Sequence, residues 1–280
     1  MRFLILLTFF LFSSVAMAEN VILMVGDGMG FNHVKCTRSI WPLFMETALV
    51  KSSVATKSNS HDTTDSAAAA TAYACGIKTN NKYLGISPDG KACRTIAEEM
   101  LDKGYFIGIL STDMKTGATP SAFYAHTKNR RDAAEIEKQL DVAREEMTIR
   151  LELTGVSMET EKLLKEADKA DGDFFLMIEG SGIDTKSHKN DLPGMQKELL
   201  DFDAAVKKAV QFAQKNKRTT VIVLADHETG GLDKNCRFRS KGHTSADVPL
   251  YAFGSGASLF SKKMDNTDVY KLMKRLLEKK

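Results

Sequence analysis

Four short apolar runs punctuate the chain: VILMV (21–25), FIGIL (106–110), FFLMI (174–178) and TVIVLA (220–225). They are rich in β-branched or aromatic residues, lack a 3.6-residue period, and each gives way to Gly, Ser, Glu or Asp. That pattern predicts buried strands. VPLYAF (248–253) predicts a fifth. Between them the period changes. RDAAEIEKQLDVAREEMTIRL (131–151) places Ile136, Leu140, Met147 and Leu151 at helical spacing. MQKELLDFDAAVKKAVQFAQK (195–215) does the same with Leu199, Phe202, Val206, Val210 and Phe212. SMETEKLLKEADKA (157–170) adds a charged helical stretch, and a last helix is expected over 267–279. Buried strands alternating with amphipathic helices predict an α/β fold, a three-layer αβα sandwich with a largely parallel central sheet.

One helix start stands apart. In HDTTDSAAAATAYACG (61–76) the pair Asp65-Ser66 directly precedes four alanines. Alanine is the strongest helix former and nearly without a side chain, so this helix can press its backbone close to a sheet. Ser66 then lies at the first turn, among N–H groups that have no partner within the helix. It is either an N-cap or a nucleophile held at the positive end of a helix, ready to meet an anion.

The first eighteen residues belong to a different pattern. MRFLILLTFFLFSSVAMA has a basic residue at position 2, an apolar run over 3–12 and an A-x-A signal at 16–18. This is expected to be a secretory signal peptide cleaved after Ala18, which places the mature chain in the periplasm or outside the cell. No membrane anchor is expected. Residues 19–280 are read as a single catalytic domain. The net charge is +3, or +2 without Arg2, too near balance to argue for nucleic acid or an anionic membrane. Cys36, Cys75, Cys93 and Cys236 show no CxxC spacing, so a structural zinc is not expected. Up to two disulfides in three pairings are open.

In parallel sheets ligands bind beyond the carboxyl ends of the strands, so the chemistry is sought there. GDGMG (26–30) follows the first strand with the wrong spacing for a dinucleotide fingerprint; it presents Asp27 in a glycine turn. EGSGIDTKSH (179–188) follows another, with Glu179 at the strand end and Asp184 and His188 spaced i, i+4 for one helix face. DHETGG (226–231) sets Asp226 beside His227, and KGHTSADVP (241–249) brings His243. His33, His61 and His126 lack such company and read as structural or exposed. Asp27, Asp184, His188, Asp226, His227 and His243 are too many ligands for one tetrahedral zinc. They suit two metals, each with nitrogen and oxygen donors and an open position. Two adjacent metals suit phosphoryl or related transfer, which favours Ser66 as nucleophile. HTKNRRD (126–132) offers Arg130 and Arg131, either of which could clamp a phosphate.

Six blocks in order, VILMVGDGMG, TDSAAAATAYACGIKTNN, GATPSAFYAHTKNR, FFLMIEGSGIDTKSH, VLADHETGG and GHTSADVPLYAFG, together resemble the alkaline phosphatases. They span residues 21 to 254. The resemblance implies a metal-dependent phosphomonoesterase acting on phosphate monoesters through a phosphoserine at Ser66. It implies one zinc on Asp27, Asp226 and His227, and a second on Asp184, His188 and His243. It implies a magnesium site from Asp27, Thr119 and Glu179, a phosphate grip by Arg130, and Asp65 orienting that arginine. The family allows a homodimer.

Three departures qualify this. Gly117 stands where the family commonly has Asp or His, two residues before the TP threonine, so the magnesium site is expected to be weakened. The stretch between Arg131 and Phe174 holds two charged helical segments in place of a glycine-rich one. The chain after GHTSADVP has no room for the larger insertion that often contributes to the dimer contact. Cys75, on the helix of Ser66, is expected to be a buried free thiol. Two other readings are carried: a phosphodiesterase, sulfatase or phosphomutase on the same metal scaffold, and a non-catalytic metal- or phosphate-binding homologue. Against them stand the phosphatase-like TDSAAAATA and the complete set of zinc-ligand, nucleophile and arginine positions.

Overall fold

A computed structural model describes residues 20–170 and 172–278. The expected leader, 1–18, lies outside the described residues. The strands are β1 (Asn20–Gly26), β2 (Val50–Ala55), β3 (Phe106–Ser111), β4 (Thr148–Arg150) and β5 (Phe174–Gly180). After them come β6 (Thr219–Leu224), β7 (Glu228–Thr229), β8 (His243–Thr244), β9 (Val248–Gly254) and β10 (Met264–Asp265). Among the described residues eight form one sheet in the order β10-β2-β9-β6-β1-β5-β3-β4, and β7 pairs with β8 apart from it. The run from β6 through β4 is parallel; β9 is antiparallel to β6 and β2.

Every residue of β1, β5 and β6 is buried, as strands covered on both faces must be. One covering layer holds the helices Phe31–Arg38, Val156–Lys169, Gly182–His188 and Leu192–Lys215. The other holds Ser66–Cys75, Ile96–Leu101, Ala118–Ser121 and Asn266–Leu277. The expected αβα sandwich is the observed one. The alanine helix is buried at all ten positions, its small side chains packing closely against Asn266–Leu277 and Ala118–Ser121 while Tyr73 is fully buried in the core. No described helix is long and apolar enough to cross a membrane.

Two expectations are corrected here. The stretch 131–151 is not one helix: it runs Ala133–Ala143, and the chain then extends into β4, paired with β3 from Gly108–Thr148 to Leu110–Arg150. Met147 and Leu151 flank that strand, the first buried and the second half-buried, so their helical spacing with Ile136 and Leu140 was coincidental. Cys75 is not a free thiol. It is joined to Cys93 across a Cα separation of 6.0 Å, because the loop after the alanine helix folds back over its end. Cys36 pairs with Cys236 at 5.7 Å.

The two bridges close loops of very different length, with sequence separations of 200 and 18. In the chain-entropy account, removing Cys36–Cys236 costs about 5 kcal/mol and removing Cys75–Cys93 about 3 kcal/mol. Thermal melts of the two Cys→Ser double variants are expected to rank in that order. The reverse ranking would show that local packing, not loop closure, sets the contribution.

Candidate active site

The site lies where β1, β5 and β6 end. β1 delivers Asp27 through a turn in which Gly28 adopts φ +72°. A Cβ at Gly28 would stand 2.8 Å from Thr229 Oγ1 and 2.9 Å from Asp184 Oδ1, so only glycine fits. β6 delivers Asp226 and His227, both fully buried. Asp226 Oδ1 accepts from the N–H groups of Gly28 at 3.1 Å and His227 at 2.9 Å, which turns its other oxygen inward. His227 Nε2 lies 3.4 Å from Asp27 Oδ1 and 3.1 Å from Asp226 Oδ2. These three residues form one cluster able to hold a cation.

The second cluster is Asp184, His188 and His243. Asp184 and His188 share one face of the helix Gly182–His188, with Asp184 Oδ2 3.2 Å from His188 Nε2. His243 arrives on β8. Its Nε2 faces His188 Nε2 at 3.2 Å and Asp184 Oδ1 at 3.7 Å. Backbone carbonyls hold the far ring nitrogens: Thr64 for His243 at 3.1 Å, Lys241 for His188. Fixing one imidazole nitrogen in this way aims the other into the site. Thr229 joins the clusters, donating to Asp184 Oδ1 at 2.5 Å while its hydroxyl lies 3.2 Å from His227 Nδ1.

Ser66 is the first residue of its helix, and Asp65 caps it by accepting from the Ala68 N–H at 3.0 Å. Ser66 is therefore not the cap. Its hydroxyl is released toward the first cluster, 3.1 Å from His227 Nε2. The other Asp65 oxygen accepts from the Lys82 N–H at 2.9 Å and meets Arg130 Nη1 at 3.4 Å. Arg130 and Arg131 both line a cavity of about 470 Å³ with Asp65, Lys82, Asp113 and Gly117, but Arg130 is the one tied to Asp65. Thr119 and Glu179 are buried as well, and the Glu179 charge acts on Asp27. The carboxyl ends of the central strands thus bring together Asp27, Asp226 and His227, Asp184, His188 and His243, and Ser66, with Arg130 tied to Asp65 beside them. His33 is buried against Ser187, His126 pairs with Glu98, and His61 is exposed.

The electrostatics favour a bound cation. Burial, reinforced by Asp226, Asp184 and Glu179, pushes the Asp27 carboxyl far above its usual range. Burial and the Asp113 charge do the same to Glu179. Burial lowers His227 to about 4, the neutral form a metal ligand needs. Asp184 raises the partly exposed His188 to about 9. Asp27 Oδ1, Asp226 Oδ2, Thr119 Oγ1 and Glu179 Oε1 are buried without a hydrogen-bond partner. Orphaned oxygens of this kind cost free energy unless something binds them. They therefore fit divalent cations.

Two residues were missed in the sequence, Thr229 and Asp113. Asp113 lies two residues past β3, where the strand-tip rule applies as well as at the other three tips; STDM (111–114) carries the signal.

The sequence matches the family model "Alkaline phosphatase" over residues 18–154 and 152–237. Alkaline phosphatase 4 of Bacillus subtilis is 31% identical over 76% of this chain and 62% of its own. Alkaline phosphatase 3 of the same organism is 27% identical over 94% and 72%. Among solved structures, alkaline phosphatase from the Antarctic bacterium TAB5 superposes with a TM-score of 0.84 at 26% identity, covering 94% of this chain and 98% of that one. Two solved variants of that protein hold magnesium in a site termed M3. The chain belongs to the alkaline phosphatase family, and by that membership it is a phosphatase.

Proposed function

We propose that the chain hydrolyses phosphate monoesters through a phosphoserine at Ser66, with zinc at the two histidine-containing clusters and magnesium at Asp27, Thr119 and Glu179. The observation that carries this is the Ser66 hydroxyl. It is freed from capping by Asp65 and set 3.1 Å from His227, between a cation cluster and an arginine. Bound cations would supply Lewis-acid charge at the attacking and leaving oxygens.

The protein's own groups do the rest. The start of the alanine helix offers N–H groups and positive dipole to the phosphoryl oxygens. Arg130, steadied by Asp65, supplies a planar fork for two of them. The Ser66 hydroxyl gives up its proton and its oxygen bonds to phosphorus; the bond from phosphorus to the ester oxygen breaks, and that oxygen takes up a proton from solvent to leave as the alcohol. Water then attacks the same phosphorus and loses a proton, the Ser66–phosphate bond breaks, the Ser66 oxygen regains a proton from solvent, and phosphate departs. We read residues 19–280 as one catalytic domain working in the periplasm or outside the cell. Its two disulfides support an oxidising compartment.

The test is release of nitrophenol from para-nitrophenyl phosphate by the zinc- and magnesium-loaded protein, with bis-(para-nitrophenyl) phosphate beside it. The monoester is expected to be strongly preferred; equal turnover of the diester would favour a phosphodiesterase instead. Arg130→Ala is expected to weaken competitive inhibition by inorganic phosphate about 10- to 100-fold, as loss of one or two charge-assisted hydrogen bonds does. An unchanged inhibition constant would remove Arg130 from the phosphate site.

A further inference from the structure

We propose that Lys82 and Arg131 form a second anion subsite beside Arg130, so that the preferred substrates are phosphate monoesters whose leaving alcohol carries another anionic group, a phosphate or a carboxylate. The inference deepens the phosphatase reading above and rests on it.

The cavity that Arg130 and Arg131 line holds about 470 Å³, within the range of sites for small organic ligands. Among the described residues, neither Ser66 nor any histidine or aspartate of the two clusters lines it. Its occupant is therefore what extends past Arg130 from the transferred phosphoryl group. Lys82, Arg130 and Arg131 give the lining three cations, and Met114, 62% exposed, gives it an apolar surface. The two carboxylates there are engaged elsewhere. Asp65 accepts from the N–H groups of Ala68 and Lys82 and meets Arg130. Asp113 accepts from the Met114 N–H and lies over Gly117. Among the described residues the side chains of Lys82 and Arg131 have no hydrogen bond or ion pair.

The local fold brings these residues side by side. Leu84 and Thr127 pair as an antiparallel bridge, and further along the same pairing the Arg130 N–H donates to the Lys82 carbonyl at 2.8 Å. The Lys82 N–H is held as well, by Asp65 Oδ2 at 2.9 Å. Between these two bonds the Lys82 backbone takes φ +77°, a left-handed conformation that glycine adopts freely and that strains a residue with a Cβ. Glycine would serve both bonds equally, since neither uses the side chain. What the lysine adds is its ammonium, on a flexible stem at the wall of the cavity. Strain kept at a ligand-facing position points to a role for the side chain that bears it. Arg131 follows Arg130 directly, with its N–H tied to Asn129 Oδ1 at 3.1 Å and its side chain exposed. One arginine grips the phosphoryl group; the next, with Lys82, is left for a charge beyond it.

The experiment measures kcat/KM of the zinc- and magnesium-loaded protein for phosphate monoesters on three- and six-carbon chains that end in a hydroxyl, a carboxylate or a second phosphate. The bisphosphate is corrected for its two equivalent ends. The wild type is expected to favour a charged ending about 10-fold over the hydroxyl, the scale of two solvent-exposed charge contacts, and to lose that preference as salt is raised. Whichever charged ending gains more names the anion. Lys82→Gly and Arg131→Ala should each cut the preference about 3-fold and together bring it near parity. Lys82→Gly is the sharper of the two, because glycine takes φ +77° without strain and the loop keeps its shape. Lys82→Arg, which keeps the charge, should keep the preference.

Alkyl phosphonates with the same endings give a reading that needs no turnover. In calorimetry the charged endings should bind the wild type about 10-fold tighter than the hydroxyl ending, and the Lys82→Gly, Arg131→Ala double variant should bind all of them alike. Equal treatment of the three endings by the wild type would overturn the proposal. So would a preference that survives in the double variant, even where activity on every ester falls together, because Lys82 and Arg131 would then only hold the loop. If the protein turns over no ester yet binds the phosphonates in this order, the phosphatase reading falls and the subsite stands.

Discussion

Ser66→Ala is expected to leave a folded, metal-loaded protein whose monoester turnover has fallen by about 10⁴- to 10⁶-fold, the scale on which loss of a nucleophile acts in serine enzymes. The folded state should barely notice. The hydroxyl's one hydrogen-bond contact is His227, the helix cap is the neighbouring Asp65, and alanine continues a run of four alanines. Loss of a single side-chain hydrogen bond costs about 1 kcal/mol. A fall of 10⁴ in rate corresponds to about 5.5 kcal/mol of lost transition-state stabilisation. The gap between the two is what identifies a reacting group. Acid-quenching the wild type during turnover, digesting it and weighing the peptide that contains residues 61–76 should show one added phosphate on Ser66. The variant should show none. If Ser66→Ala keeps a tenth of wild-type turnover, or if the quenched wild type carries no phosphate there, attack comes directly from water and the phosphoserine account fails.

The centre of this fold was readable in the sequence, and its edges were not. β1, β5 and β6 are buried on both faces, so their composition is dictated by the core, and VILMV, FFLMI and TVIVLA announce them. The catalytic candidates sit directly at the ends of those runs, which is why a rule about strand tips located Asp27, Glu179, Asp226 and His227. β2, VKSSVA, gave no such signal. It is half-buried and polar, placed by antiparallel pairing with β9 and not by its own apolar content. β4 is three residues long and exists because β3 offers it a partner. A sequence window cannot see a partner forty residues away.

The same limit explains Cys75 and Asp113. Whether a thiol is free depends on where a loop returns, and here Cys93 comes back to it. Whether position 117 can carry a side chain depends on what fills the space above it, and Asp113 does. Pairwise facts of this kind are properties of the fold, not of either residue. Thr229 is a third instance. Nothing in DHETGG marks it, yet its hydroxyl ties Asp184 of one cation cluster to His227 of the other.

Removing the metals should unmake both activity and stability. Asp27, Asp226 and Glu179 are buried, with Asp184 and Asp113 close enough to raise the Asp27 carboxyl further. One oxygen of each of the three buried carboxylates, and the Thr119 hydroxyl, has no hydrogen bond. A fold cannot easily tolerate such a cluster of like charges and unpaired acceptors unless cations complete it. A ligand that binds only the native state at about a thousand times its Kd stabilises by about 4 kcal/mol. For a chain of this size that amounts to a melting temperature about 10 °C higher. Protein stripped with EDTA is therefore expected to melt about 10 °C or more below the loaded form and to have no monoester turnover.

Recovery should follow the chemistry of the donors. Zinc is expected to restore both turnover and most of the melting temperature, because the two clusters that contain His227, His188 and His243 suit it. Magnesium alone is expected to restore neither, since a set with imidazole nitrogen is poorly matched to a cation that selects oxygen. Differential scanning fluorimetry alongside metal counting decides the matter. Full turnover, or an unshifted melt, in protein verified free of metal would mean that the buried carboxylates hold each other's protons instead of cations, and the metal-dependent reading would fall.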